Sequence, residues 1–305
     1  MNRRIAFAGL LVLTIVSACK VDSNREKNEL NVVCSTSIIR DCVQEIVGDS
    51  FEVHSLMGPG IDPHSYNPRP SDISLLNNAT VVIYNGLHLE GKMAQLFEEL
   101  GERKTVLAVS SGIPKASLIV TDAGTGAIDP HIWFDTKIWL QGMERIVEDL
   151  SKAYPKYRRR FETNFLRYRA KVEAGQHRLK KELTVIPEER RVLITSHDAF
   201  HYFSRCFDVR VRALQGISTT QEPGVQDVVS LVNYIVRHKV KALFVEHSVS
   251  PKAIQTVIES CRRKGHSVRV GGTLYSDALG DERSPAGTYL RMLNHNVHTL
   301  IKGLK

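Results

Sequence analysis

After Pro155 the chain runs "KYRRRFETNFLRYRAKVEAGQHRLKKEL" to Leu183, with no further proline and one glycine, Gly175. Apolar side chains recur at Tyr157, Phe161, Phe165, Tyr168, Val172, Leu179 and Leu183, close to the period of an α-helix. The stretch predicts one long connecting helix near the middle of a 305-residue chain, long enough for two domains of ordinary size, each with its own core. A stiff helix crossing between domains permits less hinge motion than paired loops would. Its basic residues, from Lys152 to Lys181, are interleaved with Glu162, Glu173 and Glu182 and read as a solvated helix face. The segment lacks the base-stacking aromatics on an open platform that nucleic-acid sites use, so no nucleic-acid partner is expected.

On both sides of this helix, short apolar runs alternate with helix-length amphipathic segments. Val32-Val33-Cys34 and Val81-Val82-Ile83-Tyr84 read as buried strands in the first half, with helices over Ile38 to Val47, Ile73 to Asn77 and Thr136 to Ala153. In the second half the strands are Val192 to Thr195, Ala242 to Val245 and Val268 to Val270. The helices there are Val225 to His238, Pro251 to Lys264 and Pro285 to Gly303. Strands bounded by helices imply βα units, hence an α/β fold with mainly parallel sheets, one layer per half. The expected lobes are residues 30–153 and 185–305, joined by the helix of residues 154–184.

Arg3-Arg4 precede an apolar run from Ile5 to Val16, too short for a mature membrane span, and together they read as a signal peptide over residues 1–18. Removing it takes two positive charges from the formal net charge of +8. The run ends in Val16-Ser17-Ala18-Cys19, which resembles a bacterial lipobox and marks Cys19 for lipidation. More than one acyl chain there would give stable anchoring to a membrane. The alternative is an ordinary signal peptide that happens to contain cysteine. Residues 19–29 are polar and read as a lipidated tether. In an exported protein Cys34, Cys42, Cys206 and Cys261 can form two disulfides or remain four buried thiols, and no pair has the spacing of a zinc ribbon or redox motif.

The chemistry lies with histidine. "IDPH" occurs twice, ending at His64 and at His131. Proline fixes its own φ and biases the preceding aspartate toward extended backbone, so each imidazole leaves a stiff stem. His197 in "VLITSHDAF" follows a strand by two residues, and Asp277 in "GGTLYSDALGD" lies just after another. In open parallel sheets, ligands collect outside the carboxyl ends of strands. Three imidazoles and one carboxylate, two donors per half, suit a borderline divalent transition metal. They lie about 65 to 80 residues apart, so no local motif reveals them.

Five segments, "GIDPHSYNPRPSDI", "DPHIWFD", "ITSHDAFHYF", "LQGISTTQEPGVQDV" and "GGTLYSDALGD", occur in order behind a lipobox. Together they resemble the TroA-like metal-binding solute proteins of bacterial ABC importers, over about Leu30 to Lys305. The resemblance implies two β/α sandwich lobes with the ion in the cleft, the long helix behind it, and His64, His131, His197 and Asp277 as ligands. It also implies a monomer that delivers its ion to an ABC permease and its ATPase at the bacterial cell envelope, extracytoplasmic or periplasmic. Four protein ligands leave little room for a reactive water, which suits a carrier and not a catalyst. His197 tilts the site toward nitrogen and zinc. TroA-like proteins with this histidine are associated with manganese and iron as well. Residues 112–129 lack the His- and acid-rich loop that zinc-dedicated relatives often carry. The cargo is expected to be one divalent ion per chain, zinc or manganese, with iron as a third candidate.

Competing readings attach to single residues. His197 and His201 are spaced for co-ligation on one helix face, but Asp198 stands where a zincin would place glutamate, and His201 reads as a surface residue of the following helix. Glu246 in "LFVEHS" is either an acceptor behind the ligands or a strand-end helix cap, and His247 beside it reads as exposed. The remaining histidines have no mutual pattern. Trp133 and Trp139 read as core, with Trp133 shielding the site, and Ser218 is a candidate for positioning the cleft. Two other functions use the same cluster: a secreted zinc-dependent hydrolase with Glu246 as base, and an adhesin or scaffold with a structural metal.

Overall fold

Every residue of strand β1 (Val32–Thr36) is buried, as befits the inner strand of a sheet covered on both faces. The computed structural model describes residues 30–122 and 124–305. The expected leader, Cys19 and tether lie outside the described residues. After β1, the Thr36 hydroxyl caps α1 (Ser37–Val47) by accepting the Ile39 N–H at 3.3 Å. Then follow β2 (Val53–Met57), α2 (Pro70–Asn78), β3 (Val81–Tyr84), α3 (Ala94–Gly101) and β4 (Thr105–Ala108). The four strands form one parallel sheet in the order β2-β1-β3-β4, with Val32 beside both Val53 and Val81. A short antiparallel hairpin, β5 (Val120–Asp122) and β6 (Ala127–Ile128), leads to α4 (Thr136–Ala153).

The long helix forms as its apolar stripe predicts, α5 (Arg158–Leu183), 26 residues after a 3-10 turn at Pro155–Tyr157. Its buried side chains Phe161, Phe165, Tyr168, Val172, Leu179 and Leu183 pack against α1 and α4 on one side. On the other they meet α9 (Tyr289–Leu304), the last helix of the second half. Each such side chain contributes roughly 1.5–3 kcal/mol by leaving water. The outer face carries ion pairs such as Lys171–Glu45 and Arg178–Glu182, both solvent-exposed and each worth at most about 1 kcal/mol.

Between α5 and α9 lie β7 (Val192–Thr195), α6 (His201–Phe207), β8 (Arg210–Ala213), α7 (Val225–Arg237), β9 (Ala242–Glu246), α8 (Lys252–Arg263) and β10 (Arg269–Leu274). Here the parallel layer is two pairs, β7 with β8 and β9 with β10, with β7 running beside β9. β10 shifts register between Val270 and Gly272. A Cβ on Gly271 would sit 2.7 Å from the Phe244 ring, so only glycine lets the strand lie this close.

The expectation of a separate core for each half is corrected. The largest apolar cluster runs from Leu30 through α5 to Leu300 and joins both lobes, with smaller clusters on the outer side of each sheet. Cys34, Cys42, Cys206 and Cys261 are free and buried, which decides between the two cysteine readings in favour of thiols. Among the described residues, no helix is long and apolar enough to cross a membrane.

Candidate metal centre

The two Asp-Pro-His stems are stiffer than proline alone makes them. In each, the aspartate side chain accepts the histidine's own backbone N–H, Asp62 Oδ1 from His64 and Asp129 Oδ1 from His131, both at 2.9 Å. The stems then diverge. Asp129 Oδ1 also lies 2.7 Å from His131 Nδ1, fixing the ring as well as the backbone. Asp62 Oδ2 instead accepts the Ser65 hydroxyl at 2.8 Å and, from the other lobe, the Thr219 hydroxyl at 2.5 Å.

From the second lobe, β7 ends at Thr195 and delivers His197, and β10 ends at Leu274 and delivers Asp277. Glu246, the last residue of β9, accepts the backbone N–H groups of Ser196 and His197 through Oε1, each at 2.9 Å. Its Oε2 is 2.6 Å from His197 Nδ1, a charged contact that aims Nε2 at the cleft. On the opposite side of the loop, Asn296 of α9 clamps Tyr275 by accepting its N–H at 3.0 Å and donating to its carbonyl at 2.8 Å.

The four expected donors converge. One ligand atom each from His64, His131, His197 and Asp277 lies within 4.8 Å of all the others, and all four residues are buried. His64 Nε2 is 3.3 Å from His131 Nε2, His131 Nε2 is 3.4 Å from Asp277 Oδ1, and His197 Nε2 is 3.3 Å from Asp277 Oδ2. A tetrahedral centre with bonds of about 2.0–2.1 Å has edges of about 3.3–3.4 Å. The two Asp277 oxygens face different imidazoles, so the set offers five donor atoms. Asp277 Oδ1 is buried without a hydrogen-bond partner. An orphaned acceptor of this kind is costly unless a cation meets it.

The electrostatics distinguish His64, His197 and Asp277. Burial pushes the His64 ring down to about 4, and the Asp277 carboxylate only partly opposes this. Burial would also lower His197, but Glu246 and Asp277 outweigh it and hold that ring well above its ordinary value. Burial raises Asp277, yet the neighbouring His197, His131 and His64 rings leave it well below the usual carboxylate range. Without an ion, the shared proton of the site therefore belongs on His197.

Around the donors, Trp133 donates its indole N–H to the Ser276 carbonyl at 2.9 Å and sets its ring edge against His131 at 5.3 Å between centroids. It both shields the site and ties the lobes together. Trp139 is buried farther back, with its indole N–H on the Tyr168 hydroxyl at 3.4 Å. Two expectations change. His201 is half-buried and not simply a surface residue of its helix, because it pairs with Asp129 and Asp198. It does not join the four converging donors. Among the described residues Ser218 bonds to neighbouring Thr220 alone, and it is Thr219 of this loop that reaches Asp62 across the cleft.

Sequence reasoning missed Glu90 and Asn85. Buried Glu90 accepts from Ser35 Oγ, Asn85 N and Gly86 N, and Asn85 Nδ2 donates to the Pro130 carbonyl at 2.9 Å, directly beneath His131. Only the position of Asn85 just after an apolar strand hinted at this role.

A family model described as zinc-uptake complex component A, periplasmic, matches residues 32–303. Over 307 residues, and the whole of both chains, the sequence is 40% identical to the manganese-binding lipoprotein MntA of Bacillus subtilis. It is 37% identical to the zinc-binding protein TroA of Treponema pallidum, covering 90% of this chain and 88% of that one. The solved structure of TroA from Treponema pallidum matches with a TM-score of 0.87 over 90% of this chain and 99% of its own. A Mn-bound periplasmic metal binding protein from Candidatus Liberibacter asiaticus matches with a TM-score of 0.78 at 26% identity, covering 91% and 100%.

Proposed function

The chain belongs to the family of periplasmic zinc-uptake complex component A proteins, and we propose that it captures one divalent transition metal ion outside the cytoplasm and hands it to an ABC importer. The observation that carries this reading is the convergence of His64 and His131 from one lobe with His197 and Asp277 from the other on a single buried point. Ligands divided between lobes make capture and release a matter of lobe separation. A closed set of up to five protein donors suits retention, whereas metal-assisted hydrolysis needs an open coordination position and a free base. Glu246 has both oxygens committed to His197 and Ser196, so it is not free to serve as that base. The chain is accordingly a receptor and not an enzyme.

Zinc and manganese both fit as cargo, with iron third. MntA is named for manganese and TroA for zinc, at 40% and 37% identity to this chain. In N/O sites the affinity order favours zinc over manganese, so supply and the permease choose the physiological ion. Residues 30–153 and 185–305 are the two metal-binding lobes and residues 154–184 the link between them. Residues 1–18 are a leader, and lipidated Cys19 followed by the tether to residue 29 holds a monomeric receptor near its permease and ATPase at the cell envelope.

Purified protein dialysed against zinc, then against manganese, and measured by plasma mass spectrometry should retain about one ion per chain. His64→Ala and Asp277→Ala should lose it. Unchanged retention in both variants would end the proposal.

A further inference from the structure

His201 opens α6 and meets the aspartates beside two of the candidate ligands. Its Nδ1 is 3.1 Å from Asp129 Oδ2 and its Nε2 is 3.2 Å from Asp198 Oδ2. Asp129 comes from the first lobe, where its other oxygen holds both the backbone N–H and the ring of His131. Asp198 follows directly on His197 in the second lobe. The ring thus stands between the stems of two ligands that come from opposite lobes. A neutral imidazole has one N–H and one lone pair, and it would turn that lone pair on one of the two carboxylates. Only the imidazolium donates to both.

We propose that His201 is a positioning residue that, as an imidazolium, clamps the stem of His131 to the stem of His197 and so slows escape of the bound ion. This rests on the receptor reading above and deepens it. Asp129 is closed to solvent, so losing the His201 cation would leave its buried charge without that cation beside it, and the neutral ring could donate to only one of the two carboxylates. No donor atom would be lost, but the stems of His131 and His197 would lose the contact that links one directly to the other. Arg205, one turn farther along α6, does not substitute. It is bonded to Asp135 at 2.7 Å and to the Ser117 carbonyl at 2.8 Å. The groups facing the ring are therefore Asp129 and Asp198. Contact with Asp129 raises its pKa, burial opposes this, and Asp198 adds to the rise. The clamp is present below that raised pKa and lost as pH rises through it. At 34% side-chain exposure, the ring can exchange its proton with solvent.

The test is zinc release from loaded protein into excess chelator by stopped flow, between about pH 6 and pH 9. Wild type should release zinc faster as pH rises past the His201 midpoint. His201→Gln should be faster by about 3- to 10-fold at neutral pH, somewhat less than loss of a direct outer partner, and should show no alkaline rise. A wild-type rate in His201→Gln, or one uniform factor at every pH with the alkaline rise intact, overturns the proposal. A second arm follows the His201 ring by NMR in metal-free protein. Its midpoint should lie above that of an ordinary histidine and fall in Asp198→Asn, which also serves if His201→Gln does not fold. An ordinary midpoint in wild type overturns the clamp. Because that arm uses no metal, failure of wild type to hold zinc would sink the receptor reading while the titration still decides the clamp.

Discussion

His197 Nδ1 lies 2.6 Å from Glu246 Oε2, with both side chains closed to solvent, and the other oxygen of the same carboxylate holds the His197 backbone N–H. One residue at a strand end thus fixes the ring and the main chain of a candidate ligand together. Glu246→Gln keeps the shape but removes the charge that holds Nδ1 protonated and Nε2 free. It should weaken zinc affinity by about 10- to 100-fold, read by competition with a chromophoric chelator. Unchanged affinity would contradict this role.

Metal uptake should release protons. The raised His197 ring carries a proton in the metal-free protein at neutral pH, while the His64 ring, lowered to about 4, carries none. Binding displaces the His197 proton, so calorimetry in buffers of different ionisation enthalpy should show about one proton released per ion at pH 7. In the metal-free protein the His197 pairing stabilises the fold below the ring's raised pKa and is lost as pH rises through it. Asp129 has the opposite sign. Burial would raise it, but His131 and His201 hold it down at about 2, so its contribution is lost only as pH falls toward that value.

Because α5 carries a core shared by both lobes, the lobes should not melt apart. Phe165→Ala should cost about 3–5 kcal/mol in denaturant unfolding and shift one transition of the metal-free protein. Two resolved transitions, only one of them moved, would show independent cores instead.

Thr219 is the one residue of its loop bonded to the Asp62 carboxylate that orients His64. Thr219→Val removes a single hydrogen bond worth about 1 kcal/mol and should speed zinc release about fivefold without changing stoichiometry. Equal release rates in the two proteins would show that this contact does not hold the His64 stem.

How much of this the sequence discloses follows from burial. β3 and β7 and helix α4 are read to the residue, because strands covered on both faces are continuous apolar runs and α4 has a clean period. β2, β4 and β8 are missed. Val53–Met57 contains a histidine and a serine, Thr105–Ala108 is only half-buried, and Arg210–Ala213 alternates arginine with small apolar residues. These strands end a row, so solvent permits polar side chains there and dissolves the pattern. The stems of His64 and His131 are legible because proline and aspartate are local devices. His201 and Asn85 are not, since their partners lie 72 and 45 residues away. The shared core is likewise invisible until α5 meets both α1 and α9 in space.

Whether three histidines and one aspartate hold a single ion is read most directly by K-edge X-ray absorption on zinc-loaded protein. A first shell of only nitrogen and oxygen at about 2.0–2.2 Å, with the outer scattering of about three imidazoles, is the predicted result. A shell without imidazole scattering, or one made up of water, would contradict it.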